Sequence, residues 1–237
     1  MLKKIFKHFG YTLTKIKKSQ NLDEIIKFRL QNNPCDLLID IGANQGDFSK
    51  NYLDNFKELF LIEPNKSLTN NLSVKFQKEK KVKIFNIGID KIKSSRKFYI
   101  TNDTGQTLSS MRTQTDLMNQ TLKNSKIIKE VNVNFDRLDN IIPNRVKNIF
   151  LKTDTQGNEL SVLESLGKYI EKTVFIKCEM PVLNLYNIDY SCWDILDFFR
   201  KNNFIPVFFD NGIRNEKGKL IEFDVIFERK KNDWKNF

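Results

Sequence analysis

Short apolar runs alternate with segments of helical spacing through most of this chain. Residues 37–41, 59–62, 82–88, 147–154 and 173–179 read as buried strands, each bounded by turn residues. Helical patterns fill the intervals. One begins at Asp47 and runs to Leu53, and Asn65 is placed to cap another that carries Leu68, Leu72 and Phe76 at fourfold spacing. Leu160, Leu163, Leu166 and Ile170 mark a third, and Trp193, Leu196, Phe199 and Arg200 a fourth. Near the C-terminus, 204–210 and 222–228 flank Asn211-Gly212 and Lys217-Gly218, the pattern of a long β-hairpin. Strand-helix alternation predicts an α/β fold with a mostly parallel sheet of seven strands, closed by that antiparallel hairpin.

Two regions break the alternation. Over 90–142 two strands are expected, at 97–100 and 127–135, around a polar stretch at 104–111. This reads as an insertion with a flap over the pocket mouth. Residues 1–20 place Leu2, Ile5, Phe6, Phe9, Leu13 and Ile16 at mostly helical spacing, opposite Lys3, Lys4, Lys7, Lys15, Lys17 and Lys18 and without an acid. Such a basic amphipathic segment suits peripheral contact with an anionic membrane or a lid packed on the domain. A second short helix at 23–30 precedes the break at Asn32-Asn33-Pro34. The expected organisation is an N-terminal helical extension over 1–33 and one domain over 34–230.

Composition narrows the field by exclusion. The net charge of +11 raises nucleic acid or an anionic surface as partners, but a chain this rich in Lys, Asn, Ile and Phe also carries the residues of A/T-rich codons. The basic residues are scattered, which argues against nucleic acid. Three cysteines form no CxxC pair, and His8 is the only histidine, so neither a structural zinc site nor a Ser-His-acid triad is expected. No apolar run approaches the ~18 residues of a membrane span, and Lys7 and His8 interrupt any secretory core. A reduced, cytoplasmic protein is expected, with the membrane's inner face as the site of any peripheral contact.

The first strand carries the chemistry. Asp40-Ile41-Gly42-Ala43-Asn44-Gln45-Gly46 joins strand to helix through a glycine turn. It lacks the third glycine of a dinucleotide fingerprint and places a carboxylate just inside the turn. A carboxylate repels phosphate but accepts from an ammonium and approaches a sulfonium. That suits S-adenosylmethionine (SAM), which has both cations and no phosphate. Glu63 ends the second strand 21 residues after Gly42 (63 − 42), where an acid can take both ribose hydroxyls. The third strand ends around Asn86 and Ile87, where the adenine would rest. Asp154 and Glu179 end two further strands and are expected to face the pocket. Either could remove a proton from an acceptor, together they could hold Mg²⁺, or Asp154 could simply cap the following helix.

These residues resemble the FkbM family of SAM-dependent methyltransferases over about 37–227. The resemblance rests on Ile39 to Gly46, Ile62-Glu63-Pro64-Asn65, Asn86-Ile87-Gly88-Ile89, Leu108-Ser109-Ser110, Arg137-Leu138-Asp139 and, most specifically, Lys152-Thr153-Asp154-Thr155-Gln156-Gly157-Asn158-Glu159. It implies a Rossmann-like class I methyltransferase, usually an O-methyltransferase of sugar or polyketide hydroxyls. By the same resemblance, Asp40, Gly42, Asn44 and Gly46 would line the methionine end of SAM. Glu63 would hold the ribose and Asn86 border the adenine, while Asp154, Gln156 and Glu159 would shape the catalytic face, with Gln156 also among the residues that bind SAM. The expected acceptor is a sugar, glycan or glycolipid, possibly lipid-linked. The competing readings are an RNA or protein methyltransferase and a non-catalytic SAM-fold binding module.

Overall fold

A computed structural model describes residues 22–122 and 125–230. The basic segment at 1–20 lies outside the described residues. The described chain opens with α1 (Leu22–Asn32) and continues through β1 (Leu37–Ile41), α2 (Asp47–Asn51), β2 (Glu58–Ile62), α3 (Lys66–Lys75), β3 (Val82–Phe85) and β4 (Gly88–Ile89). Then follow β5 (Ser94–Thr101), α4 (Asp116–Thr121), β6 (Ile127–Asp136), α5 (Leu138–Ile141), β7 (Ile149–Thr153), α6 (Glu159–Glu164) and β8 (Thr173–Pro181). The last elements are α7 (Cys192–Lys201), β9 (Phe204–Phe209), β10 (Ile213–Arg214) and β11 (Leu220–Arg229).

The main sheet has the order β10-β11-β8-β7-β1-β2-β3, with β9 also paired to β11. β1, β2, β3, β7 and β8 run parallel, whereas β11 runs antiparallel to both β8 and β9. The seven expected strands are therefore present, and the eighth, β10, is a two-residue addition to the outer edge of β11. Parallel strands covered on both faces must be apolar on both. β1 is accordingly buried at every position, with Leu37, Ile39 and Ile41 in one core and Leu38 in the other. A stacked pair, Phe199 of α7 and Phe227 of β11, has ring centroids 3.6 Å apart and locks the closing hairpin to the helix before it.

Two expected elements are interrupted. The run 82–88 divides into β3 in the main sheet and β4 in a separate three-stranded sheet of order β4-β6-β5. Asn86 sits at the break, and its amide donates to the carbonyls of Glu63 and Pro64, anchoring the chain as it leaves. The helical pattern through Ile170 stops at Glu164 and continues as a 3₁₀ turn over Gly167–Lys172. In the second sheet β5 and β6 pair antiparallel from Ser94↔Phe135 to Thr101↔Ile127.

Gly46 has a packing role. Its φ is +74°, and a Cβ there would lie 2.6 Å from Leu72 and 2.7 Å from Phe76, so the missing side chain lets α3 seat against the turn. Gly46→Ala should cost about 1–3 kcal/mol, combining left-handed strain with displacement of two core side chains. Urea unfolding checks it, and an unchanged midpoint would contradict this role.

Candidate active site

β1 is the switch point of the sheet: β2 and β3 lie to one side of it, β7 and β8 to the other. Open α/β sheets present their binding crevice at that point, beyond the carboxyl ends of the strands. A cavity of about 300 Å³ lies there, a volume within the range of small-molecule sites. Gly42, Asn44, Glu63, Ile87, Asp154, Gln156 and Glu179 all line it. Part of the expected flap, including Thr107, Leu108 and Ser109, forms another wall.

The turn after β1 is shaped by close backbone approach. Gly42 has φ +70°, and a Cβ on it would lie 2.0 Å from the Asp154 carbonyl oxygen. Only glycine lets the two strand-end loops touch there. Asn44, at φ +48°, donates its backbone N–H to Glu63 Oε2 at 2.9 Å, and Asn65 N–H reaches Glu63 Oε1 at the same distance. Glu63 is 5 % exposed. Burial raises its carboxyl, against the opposing pull of those two amides. Each oxygen, pinned by one amide, keeps a lone pair for a ligand. A fixed, buried acid facing a cavity can accept from a vicinal diol such as the ribose of SAM presents. The glycine turn, pinned acid and neighbouring Ile87 fit the group.

Three expected cofactor residues stand outside the cavity lining. Gly46 faces Leu72 and Phe76, as described. Asn86 turns its amide to Glu63 O, Pro64 O and Thr69 Oγ1 and faces a separate cavity of about 360 Å³. Asp40 is fully buried, accepts from Ser49 Oγ at 2.7 Å and pairs with Lys152 Nζ at 3.2 Å. Its side chain shapes the turn from behind because alternation along β1 turns it away from the core of Ile39 and Ile41.

The opposite wall is acidic. Lys152, buried on β7, donates to Gly42 O at 2.9 Å and stands 3.4 Å from Asp154 Oδ2. Burial disfavours its charge, but Asp40 and Asp154 outweigh that and raise its pKa. Protein rings Asp154, yet its side chain keeps 35 % of its surface exposed because it faces the cavity. Burial pushes its carboxyl up, and the stronger combined effect of Lys152, Lys177 and Gln156 holds it below the ordinary range. Glu179 goes the other way: burial, then Asp154 and Glu222, push it well above the ordinary range. Neighbouring carboxyls driven apart in this manner are what divided acid-base roles require.

Gln156 joins them. Its Nε2 donates to Asp154 Oδ1 at 3.1 Å and to Glu179 Oε2 at 3.1 Å. Its Oε1 lies 3.0 Å from the Tyr186 hydroxyl, which fixes the amide orientation. Gln156 itself sits at φ +56°, held by Ser110 Oγ on its carbonyl at 2.6 Å. Glu159 closes the loop from below, accepting from Thr155 N and Tyr190 OH, and has no place on the cavity wall. The amide hydrogens of Gln156 occupy the space between the two acids. That donor set does not fit Mg²⁺, and among the described residues no group of three or more His, Cys, Asp or Glu is gathered to hold a metal.

Glu222 of β11 also lines the cavity and was not anticipated from the sequence. Burial, followed by Asp154 and other acids, raises its carboxyl to about 7. In an alternating hairpin strand, acids at 222 and 224 read as a solvent face, so the pattern pointed away from the pocket. Tyr186 was missed as well, since nothing local marks a tyrosine in a loop as a partner for Gln156.

Strand order, crevice position and the pinned acid at the tip of β2 are the arrangement expected of a class I methyltransferase. A family model for the methyltransferase FkbM domain matches residues 40–206, and the chain belongs to that family. Membership implies SAM as methyl donor. No curated protein matches the sequence. Among solved structures, the methyltransferase FkbM from Methylobacillus flagellatus is 13 % identical, with 82 % of this chain and 44 % of that one covered at a TM-score of 0.47. The chain thus spans less than half of that protein. A putative RNA methyltransferase from Pyrococcus horikoshii is 13 % identical over 87 % of this chain and 82 % of its own, at 0.46. A putative methyltransferase from Streptococcus mutans, in complex with SAH, is 9 % identical over 89 % and 99 %, at 0.47.

Two predictions follow from the charges. Lys152→Met strands Asp40 and leaves Asp154 with less compensation, so unfolding free energy should fall by about 3–5 kcal/mol, the usual cost of breaking a buried pair. A loss below 1 kcal/mol would show that the pair is unimportant. The pH dependence has a defined sign. Glu222 and Glu179 have raised folded pKa values, so their ionised forms are disfavoured by folding. Stability should fall as pH rises from about 4.5, the unfolded value, through about 7, and Glu222→Gln should flatten that decline. Thermal melts across this window with no decline would contradict the assignment.

Proposed function

We propose that this protein is a SAM-dependent O-methyltransferase acting on a hydroxyl group of a sugar, glycan or glycolipid. The observation that carries the reading is the acidic wall formed by Asp154, Glu179 and Glu222. Carboxylates suit a neutral, donor-rich acceptor and repel a phosphodiester backbone, which disfavours RNA.

Glu63 would hold the ribose hydroxyls, Ile87 would border the adenine, and the turn at Gly42 and Asn44 would enclose the methionine end. Bound there, SAM supplies an electrophilic methyl group. The chain's own contribution is positioning and proton removal. Asp154, kept ionised by Lys152, accepts a hydrogen bond from the acceptor hydroxyl and aims its oxygen. As that oxygen is methylated its proton passes along the same hydrogen bond to Asp154, while Glu179, pushed toward its protonated form by burial and by Asp154, adds no second full negative charge beside it. Gln156 keeps the two carboxyls apart and in register. Among the described residues no helix is long and apolar enough to cross a membrane. The lysine-rich segment at 1–20 supports a peripheral location at an anionic inner membrane face, each lysine there being worth about 1 kcal/mol, beside a lipid-linked acceptor.

Mass spectrometry of glycans and glycolipids from cells with and without the protein tests the substrate class. A gain of one methyl unit on a sugar is expected, and labelled RNA with unchanged glycans would overturn the reading. Asp154→Asn preserves shape and should lower methyl transfer about 10²–10³-fold in a protein that still folds, with its melting temperature lowered by the loss of one of the two anions beside Lys152. Full activity in that variant would remove Asp154 from the mechanism.

A further inference from the structure

Glu222 stands opposite Pro181 in the antiparallel pairing of β11 with β8, two residues along from the Glu179↔Asp224 pair. Residues directly opposite share a sheet face, as do residues two apart on one strand. Glu179, Glu222 and Asp224 therefore project from the same face.

Two of the three have donors. Gln156 Nε2 reaches both oxygens of Glu179, and Lys177 Nζ lies 2.5 Å from Asp224 Oδ2. The Glu222 carboxylate receives no hydrogen bond and no ion pair from any described residue, although it is part-buried and lines the cavity. The groups that act on it most strongly are acids, Asp154 from the loop after β7, Glu159 at the start of α6, Asp224 on its own strand and Asp210 beyond β9, and it acts in turn on Glu179 of β8; the nearby cation Lys177 is paired with Asp224. A carboxylate placed like this gains from a donor that the protein does not supply. The ribose hydroxyls of SAM, assigned to Glu63, are not that donor. From β2 to β11 the sheet crosses four strand spacings, through β1, β7 and β8, roughly 19 Å at about 4.8 Å each.

We propose that Glu222 is an acceptor-binding residue that receives a second hydrogen-bond donor of the acceptor, while Asp154 and Glu179 engage the hydroxyl that becomes methylated. The proposal rests on the O-methyltransferase reading and sharpens its substrate class. Diagonal neighbours across a strand pair stand roughly 7–8 Å apart at the backbone, so the two donors belong to one compact, polyhydroxylated unit. A sugar ring with a second hydroxyl or amino group meets this condition, and an isolated alcohol does not.

The test measures methyl transfer from labelled SAM to the glycan and glycolipid fraction of cells that make the protein, with the fraction's concentration varied. Glu222→Gln should raise the acceptor KM about tenfold or more, the loss of one charged hydrogen bond. It should leave kcat within a few-fold and SAH affinity by calorimetry unchanged. Glu222→Asp should recover part of the acceptor affinity. An unchanged acceptor KM in Glu222→Gln would overturn the proposal, and so would weakened SAH binding, which would place Glu222 on the cofactor. Absence of transfer by the wild-type protein to any glycan would instead overturn the reading beneath it, and this proposal with it.

Discussion

A single buried ammonium ties the two halves of this site together. Lys152 Nζ reaches Asp40, Asp154 and the carbonyl of Gly42, so it bridges the turn after β1 and the loop after β7. Burying a lysine this completely is costly unless anions and carbonyls surround it. Here they do, and the same contacts fix where Asp40 and Asp154 can lie. The bare α-carbon of Gly42 completes the arrangement by letting the turn press on the Asp154 carbonyl. The Glu63 side and the acidic side of the cavity therefore share a wall.

Beyond that wall the sheet sorts its carboxyls. Asp154 beside Lys152 stays ionised, whereas Glu179 and Glu222, farther along the β7-β8-β11 order, are held by burial first and then by neighbouring acids, and keep protons more tightly. Gln156 separates the first two acids with its amide and is itself held by Tyr186 and Ser110. The positive φ of Gln156 and Gly157 is thereby set by contacts on several sides, as backbone strain near a reactive centre commonly is. The closing hairpin adds Glu222, and the insertion supplies the flap residues opposite.

Much of this was legible in the sequence because buried parallel strands announce themselves as unbroken apolar runs. Leu37 to Ile41 and Leu59 to Ile62 lie in the main sheet as read, with Gly42 and Glu63 at their tips. The limits of the reading have physical causes. A carboxylate beside a glycine turn can face the ligand or the core, and local spacing does not distinguish them; Asp40 faces Ser49 and Lys152, a residue 112 positions later. Gly46 looked like part of the ligand cradle because helix packing demands the same residue. Asn86 lies at the end of β3, but its side chain satisfies the backbone carbonyls of Glu63 and Pro64. Glu222 depended on the pairing of β11 with β8, a contact between positions about forty residues apart that no local pattern encodes.

The most direct measurement is a crystal structure of the protein with SAH. The ribose hydroxyls should lie within hydrogen-bond distance of Glu63, the adenine should lie beside Ile87, and the sulfur should face Asp154 and Glu179. SAH bound in the cavity beside Asn86 and Lys129, or with its ribose away from Glu63, would contradict the account.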